Sequence, residues 1–229
     1  MAYDDFINKR KKILNKKDWE LIDNWPLYVG KYNLARSINN IELIKQSIEI
    51  PGDIIEFGCW KGANLLLIAK TIEIFSPMTM KNIWGFDLFK GLDFFDLKDG
   101  ESKKLKGKYK GDEKRLREII KLFELNDRVN LIKGNILKTL PDFLDDNPSL
   151  NVSLIYIDTD LYKSTKLILN SFHDRLVKGG MFVLDEWNTK LYPGESVATK
   201  EFLDNCSKDY DLISVKHSLQ PSLLLKKIR

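Results

Sequence analysis

Two cysteines and two histidines are all that this 229-residue chain carries of either type. Cys59 and Cys206 cannot build a disulfide framework or a thiolate zinc site, and their scarcity fits a reducing compartment. His173 and His217 exclude a histidine-rich metal cage, so a general base must be a carboxylate, a lysine or a tyrosine. Long apolar runs are also missing, since none approaches the roughly 20 residues that a membrane-spanning helix needs. Residues 1–17 are polar, hold Lys9-Arg10-Lys11-Lys12 and lack the apolar centre of a signal peptide. A cytoplasmic protein with no membrane partner is therefore expected. No internal repeat or low-complexity linker divides the chain.

What is present is the balance of a globular protein, 43% hydrophobic against 31% charged residues, in a chain long enough for one sizeable core. The formal charge of +4 is uneven, with Lys103, Lys104, Lys106, Lys108, Lys110, Lys114, Arg115 and Arg117 in one stretch. Such runs commonly form a solvated loop. The alternative is attraction of an anionic substrate such as a sugar nucleotide. Interleaved Asp112, Glu113 and Glu118 dilute the field and argue against nucleic acid as the partner.

Residues 1–50 read as a polar helical extension, most periodic over Ile41–Ile48 and stopped by Pro51-Gly52. Beyond Asp53, short apolar runs alternate with amphipathic segments, the signature of an α/β fold with a mostly parallel sheet. Strands are expected near 53–57, 82–87, 129–133, 152–158 and 180–185. Helices are expected near 62–75, 112–125, 137–146, 163–177 and 195–206, with Gly179-Gly180 ending the fourth. Tyr210–Lys216 and Ser222–Ile228 read as a closing antiparallel pair. The stretch Lys90–Gly111, rich in glycine and charge, reads as a lid, a disordered flap or a mobile loop without a role.

Acids close three of the apolar runs: Glu56, then Asp158 and Asp160, then Asp185 and Glu186. In an open parallel sheet the carboxyl ends of adjacent strands face one crevice, so these acids can converge. They suggest a divalent-cation site beside a cofactor pocket, the alternative being helix caps and solvated strand ends. Glu56-Phe57-Gly58-Cys59-Trp60-Lys61-Gly62 joins the first strand to a helix, where glycines let backbone approach a ligand. Its glycines stand four apart, unlike a dinucleotide fingerprint. Asp87 ends the second strand, where a carboxylate can accept two hydrogen bonds from a ribose diol. Asn135, after the third, could read an adenine edge or cap the next helix.

Together these features resemble the class I S-adenosylmethionine-dependent methyltransferases. Ile155-Tyr156-Ile157-Asp158-Thr159-Asp160-Leu161-Tyr162-Lys163-Ser164-Thr165, Leu176 to Trp187 and Pro193-Gly194-Glu195-Ser196-Val197-Ala198 narrow the resemblance to the macrocin O-methyltransferase (TylF-type) family, as do Ile50 to Gly58 and Trp84 to Leu92. The resemblance implies a Rossmann-like sheet with helices on both faces, an extension over 1–50 covering the substrate, and a methyltransferase domain over 51–229. It further implies Mg2+-dependent methylation of a sugar or sugar-nucleotide hydroxyl. Asp158, Asp185 and Glu186 take the metal-ligand places and Asp160 that of the base. Glu56, Gly58, Gly62, Asp87, Asn135 and Asp158 would contact S-adenosyl-L-methionine. Glu186 departs from the family's frequent second aspartate. A catechol or other diol acceptor, a non-catalytic cofactor-binding subunit and a homo-oligomer remain alternatives for what the chain does.

Other residues have two readings each. Tyr162, Trp187 and Tyr192 could stack on a sugar or simply pack, and Trp25-Pro26 with Tyr28 could cover the acceptor or join the core. Cys59 reads as a space-filler, His173 as a surface residue within the fourth helix, and His217 as part of the terminal loop.

Overall fold

The computed structural model describes residues 5, 8, 11, 15–215 and 218–229. Lys9, Arg10, Lys12, Lys216 and His217, noted above, lie outside the described residues. From residue 15 onward, three helices precede the sheet: α1 (Lys16–Asp23), α2 (Trp25–Tyr28) and α3 (Lys31–Ile48). Then follow β1 (Asp53–Phe57), α4 (Ala63–Phe75), β2 (Ile83–Asp87), a 3-10 helix (Leu97–Leu105), α5 (Glu113–Leu122), β3 (Val129–Lys133), α6 (Ile136–Asp146), β4 (Val152–Ile157), α7 (Tyr162–Phe172) and β5 (Leu176–Leu184). The chain closes with α8 (Pro193–Cys206), β6 (Tyr210–Ser214) and β7 (Leu223–Lys227).

The seven strands run in the order β3-β2-β1-β4-β5-β7-β6. The first five are parallel, and β7 inserts antiparallel between β5 and β6. Strand residues alternate between faces. Ile54, Leu154 and Val183 therefore meet α3, α4 and α5 on one side, while Ile55, Ile155 and Phe182 meet α6, α7 and α8 on the other. All six residues of β4 are buried, which is why it reads in sequence as a continuous apolar run. The strand order reverses between β1 and β4, leaving a crevice at their carboxyl ends.

Local chemistry starts the helices at that edge. Asn135 caps α6 by accepting from Leu137 N–H at 3.0 Å, and Asp112 caps α5 by accepting from Arg115 N–H at 3.0 Å. Gly62 precedes α4 in the left-handed region, φ +83, where a Cβ would lie 2.2 Å from Leu116 Cδ1.

Three expectations change. Gly179 and Gly180 lie inside β5, not at a helix end: α7 stops at Phe172, and β5 begins at Leu176. Leu176 opposes Val152 while Met181 opposes Leu154, so β5 bulges at the glycines. His173 caps α7, its ring against Phe202 and Tyr210 and its Nδ1 3.0 Å from Tyr210 Oη, so it is half-buried instead of surface.

The Lys90–Gly111 stretch, expected as a lid, a disordered flap or a mobile loop without a role, folds around the 3-10 helix and is fastened to the body, which removes the disordered flap. Backbone bonds pair Leu92 with Gly107 and Lys108. The fully buried Asp99 accepts from Tyr162 N–H at 2.7 Å, at the start of α7, and from Asp96 N–H at 2.5 Å. A hydrogen bond to a charged acceptor contributes about 1.5–3 kcal/mol. Asp99→Ala should therefore lower unfolding free energy by about 3 kcal/mol. It should also speed tryptic cleavage between Lys98 and Lys110. Equal digestion of variant and wild type would show that Asp99 does not secure the segment.

Candidate active site

A cavity of about 250 Å³ opens at the carboxyl ends of β1, β2 and β4. Gly58, Asp87, Asn135, Asp158, Asp160, Asp185 and Glu186 all line it, so most of the sequence-nominated residues share one space. Glu56 and Gly62 do not line it. Gly62 serves the turn conformation described above. Glu56 is buried beneath the cavity, with Oε1 accepting from Asn64 Nδ2 at 2.8 Å and Oε2 without a hydrogen-bond partner. Burial pushes the Glu56 carboxyl up to about 7, partly offset by the Asn64 hydrogen bond.

Gly58, at φ +93, permits the closest backbone approach in the cavity floor: a Cβ there would stand 1.8 Å from the Asp158 carbonyl oxygen. Asp87 holds the neighbouring turns, accepting from Trp60 N–H at 2.6 Å and Phe89 N–H at 2.5 Å. Both partners are non-glycine residues at positive φ, 48° and 57°, a conformation that surrounding contacts must hold. The Asp87 carboxyl is raised by burial and pulled back by these two bonds. A carboxylate has about four acceptor sites, so both bonds leave capacity for a ligand. The helix-cap reading of Asn135 holds, and the cap uses only its carbonyl oxygen.

The acids after β4 and β5 form a crowded negative cluster. Asp160 sits at φ +62, which aspartate tolerates better than most residues. Its carboxyl is pushed up to about 8 by burial, then by Glu186 and Asp185. Asp158 is raised by burial and by Asp185 and Asp160, Asp185 chiefly by burial, and Glu186 by burial. The cluster is short of positive charge.

Arg36, from α3, supplies part of it. Its Nη2 donates to Asp158 Oδ2 at 3.1 Å and to Asp185 Oδ1 at 2.9 Å. Tyr156 Oη also donates to Asp185 Oδ1, at 2.7 Å. Arg36 Nη1 donates to Gln220 Oε1 at 3.3 Å, and Gln220 Nε2 donates to Glu186 Oε1. Among the described residues, no three His, Cys, Asp or Glu side chains stand together as a ready metal cage. The donor chemistry nonetheless fits a hard cation: Asp158 and Asp185 present oxygens to one positive group, with Glu186 joined to it through Gln220.

Arg36 is absent from the sequence-derived site. A signal exists in the helical period: the buried face of α3 runs through Asn40, Leu43, Ile44 and Ser47, and one turn back from Asn40 is Arg36. Glu195 was legible only as part of a motif. It is fully buried and accepts from Glu186 N–H at 2.8 Å, fixing the backbone of the acid cluster. Among the aromatics, Tyr192 lines the cavity with Trp60, Phe94 and Tyr109, and Tyr192 Oη lies 2.9 Å from Tyr109 Oη. Tyr162 and Trp187 are not among its lining residues; Tyr162 Oη donates instead to Glu201 at 2.7 Å. Trp25 and Tyr28 are exposed.

A seven-stranded sheet with an antiparallel penultimate insertion and a cavity at its switch point defines the class I methyltransferase fold. The profile of the Macrocin-O-methyltransferase (TylF) family matches residues 5–217, and the chain belongs to that family. It is 23% identical over 177 residues to the 8-demethyl-8-(2,3-dimethoxy-alpha-L-rhamnosyl)-tetracenomycin-C 4'-O-methyltransferase of Streptomyces olivaceus, covering 72% of this chain and 65% of that protein. With the demethyldecarbamoylnovobiocin O-methyltransferase of Streptomyces niveus it shares 25% identity over 182 residues, covering 72% of this chain and 64% of that one. In both cases the match spans slightly less than two thirds of the relative. The crystal structure of CalS11, a calicheamicin methyltransferase, superposes with a TM-score of 0.81 at 26% identity, over 98% of this chain and 91% of CalS11.

Burial of Glu56 has a measurable pH signature. Its folded-state proton is held up to about 7, above the ordinary carboxylate range, so raising pH between those limits ionises the unfolded state first and destabilises the ligand-free protein. Glu56→Gln removes this dependence. Urea unfolding should show the variant gaining about 3 kcal/mol relative to wild type between pH 4 and pH 8. A constant difference across that range would mean that Glu56 is ionised in the folded protein.

Proposed function

We propose that the chain transfers a methyl group from S-adenosylmethionine to a hydroxyl of a sugar or sugar-containing small molecule, with Mg2+ bound by Asp158, Asp185 and Glu186. The observation that carries this reading is the gathering of Asp87, Asn135, Asp158, Asp160, Asp185 and Glu186 around one cavity at the switch point. Family membership and the sugar named in the Streptomyces olivaceus relative support the acceptor class.

S-adenosylmethionine would supply an already activated methyl group, and the divalent ion would supply positive charge that anchors an acceptor hydroxyl and eases loss of its proton. The remaining work belongs to the chain. Asp87 has acceptor capacity for the two ribose hydroxyls, and the Asn135 amide nitrogen can donate to the adenine edge. Gly58 packs the first turn against the Asp158 carbonyl and so shapes the cavity floor, while the unpartnered Oε2 of Glu56 beneath it would accept from the cofactor's amino-acid end. Asp160 takes the hydroxyl proton on its carboxylate. Trp60 and Tyr109, edge to face at 5.9 Å, and Tyr192 wall the cavity and limit water. Holding both reactants in line supplies much of the acceleration.

Label transfer from S-adenosylmethionine to a panel of sugar nucleotides and glycosides tests this. Transfer should stop in EDTA and return with Mg2+; persistence in EDTA would remove the metal from the mechanism. Asp160→Asn should lower kcat by about 10²–10⁴. Its calorimetric affinity for S-adenosylhomocysteine should remain within a few-fold of wild type, and undiminished kcat would dismiss Asp160 as the base.

A further inference from the structure

The acids assigned above to a divalent ion already share a cation. Arg36 Nη2 touches Asp158 Oδ2 and Asp185 Oδ1, and Nη1 reaches Glu186 through Gln220. Asp185 Oδ1 accepts from both Arg36 and Tyr156, which fills its two lone pairs. With the guanidinium in place the Asp185 side chain is 1% exposed, so an ion can reach it only if a covering group moves. Tyr156 is buried in the central strand β4, whereas the Arg36 side chain is 32% exposed at the cavity edge. Arg36 is the group able to withdraw. Coexistence is unfavourable as well. Magnesium binds oxygen at about 2.1 Å. An ion on either of those oxygens would therefore lie no more than about 5 Å from Nη2, where two positive charges repel.

We propose that Arg36 is an internal counter-ion that competes with the divalent metal for Asp158 and Asp185, so that metal entry requires withdrawal of the guanidinium. The inference rests on the metal reading above. Arg36 supplies positive charge to Asp158 and Asp185 in the metal-free protein, and the affinity for metal is reduced by the free energy of displacing it. Arginine suits this place because it stays charged at all working pH and its fork can serve two carboxylates and an amide together.

Mn2+ binding to the full chain, followed by the electron paramagnetic resonance signal of the free ion, provides a test independent of catalysis. Arg36→Met should bind Mn2+ at least about tenfold more tightly than wild type. Its metal-free melting temperature should fall, and its gain in melting temperature on adding Mn2+ should exceed that of wild type. Arg36→Lys, whose single ammonium cannot reproduce the fork, should fall between the two in Mn2+ affinity, and it decides the matter if Arg36→Met does not fold. Equal or weaker Mn2+ binding in folded variants would overturn the competition while leaving the metal site. No Mn2+ binding by wild type or either variant at millimolar ion would overturn both.

Discussion

Burial of several carboxylates beside one another governs this molecule's carboxyl edge. Asp158, Asp160, Asp185 and Glu186 lie in partial or full burial, which raises each carboxyl group, and neighbouring acids raise Asp158, Asp160 and Glu186 further. Such a cluster is costly without positive charge. The fold answers with a guanidinium from outside the sheet, a tyrosine hydroxyl from β4 and an amide from the loop before β7. Segments far apart in sequence are tied together at the place where a ligand would bind.

The scaffold that delivers those acids is simple by comparison. Parallel strands end at one edge, and the reversal between β1 and β4 leaves room there for a ligand. What makes the crevice usable is local backbone: Gly58 against the Asp158 carbonyl, and the strained turns at Trp60 and Phe89 fastened by Asp87. The side chain proposed above for ribose is thus also a structural clamp. Glu195 and Asp99 play similar parts from beneath, one holding the Glu186 backbone and the other the start of α7.

Much of this was legible in the sequence. The strands announced themselves because Ile54, Ile155 and Phe182 belong to fully buried runs, and the strand-end acids followed from their position. Gly179-Gly180 misled because glycine marks a helix end and a strand bulge equally well, and only pairing with β4 tells them apart. The fastening of Lys90–Gly111 was hidden because Asp99 is one acid in a charged stretch and its partner, Tyr162 N–H, is 63 residues away. Arg36 was hidden for the same reason: its charge looks ordinary until α3 is laid across the crevice. Gly62 has a conformational need of its own, the left-handed turn that opens α4.

Helix α3 carries two polar reaches on one face. Arg36 extends to the acids after β4 and β5, while Asn40, one turn later, donates to Asn64, which in turn donates to Glu56 in β1. A further turn brings Leu43 and Ile44 into the apolar cluster. Because an α-helix turns 100° per residue, inserting or deleting one residue between Asn40 and Leu43 would swing both polar side chains away from their partners while the apolar anchor stayed in place. From Arg36 to Ile44 the residue count is therefore fixed as firmly as that of any core strand.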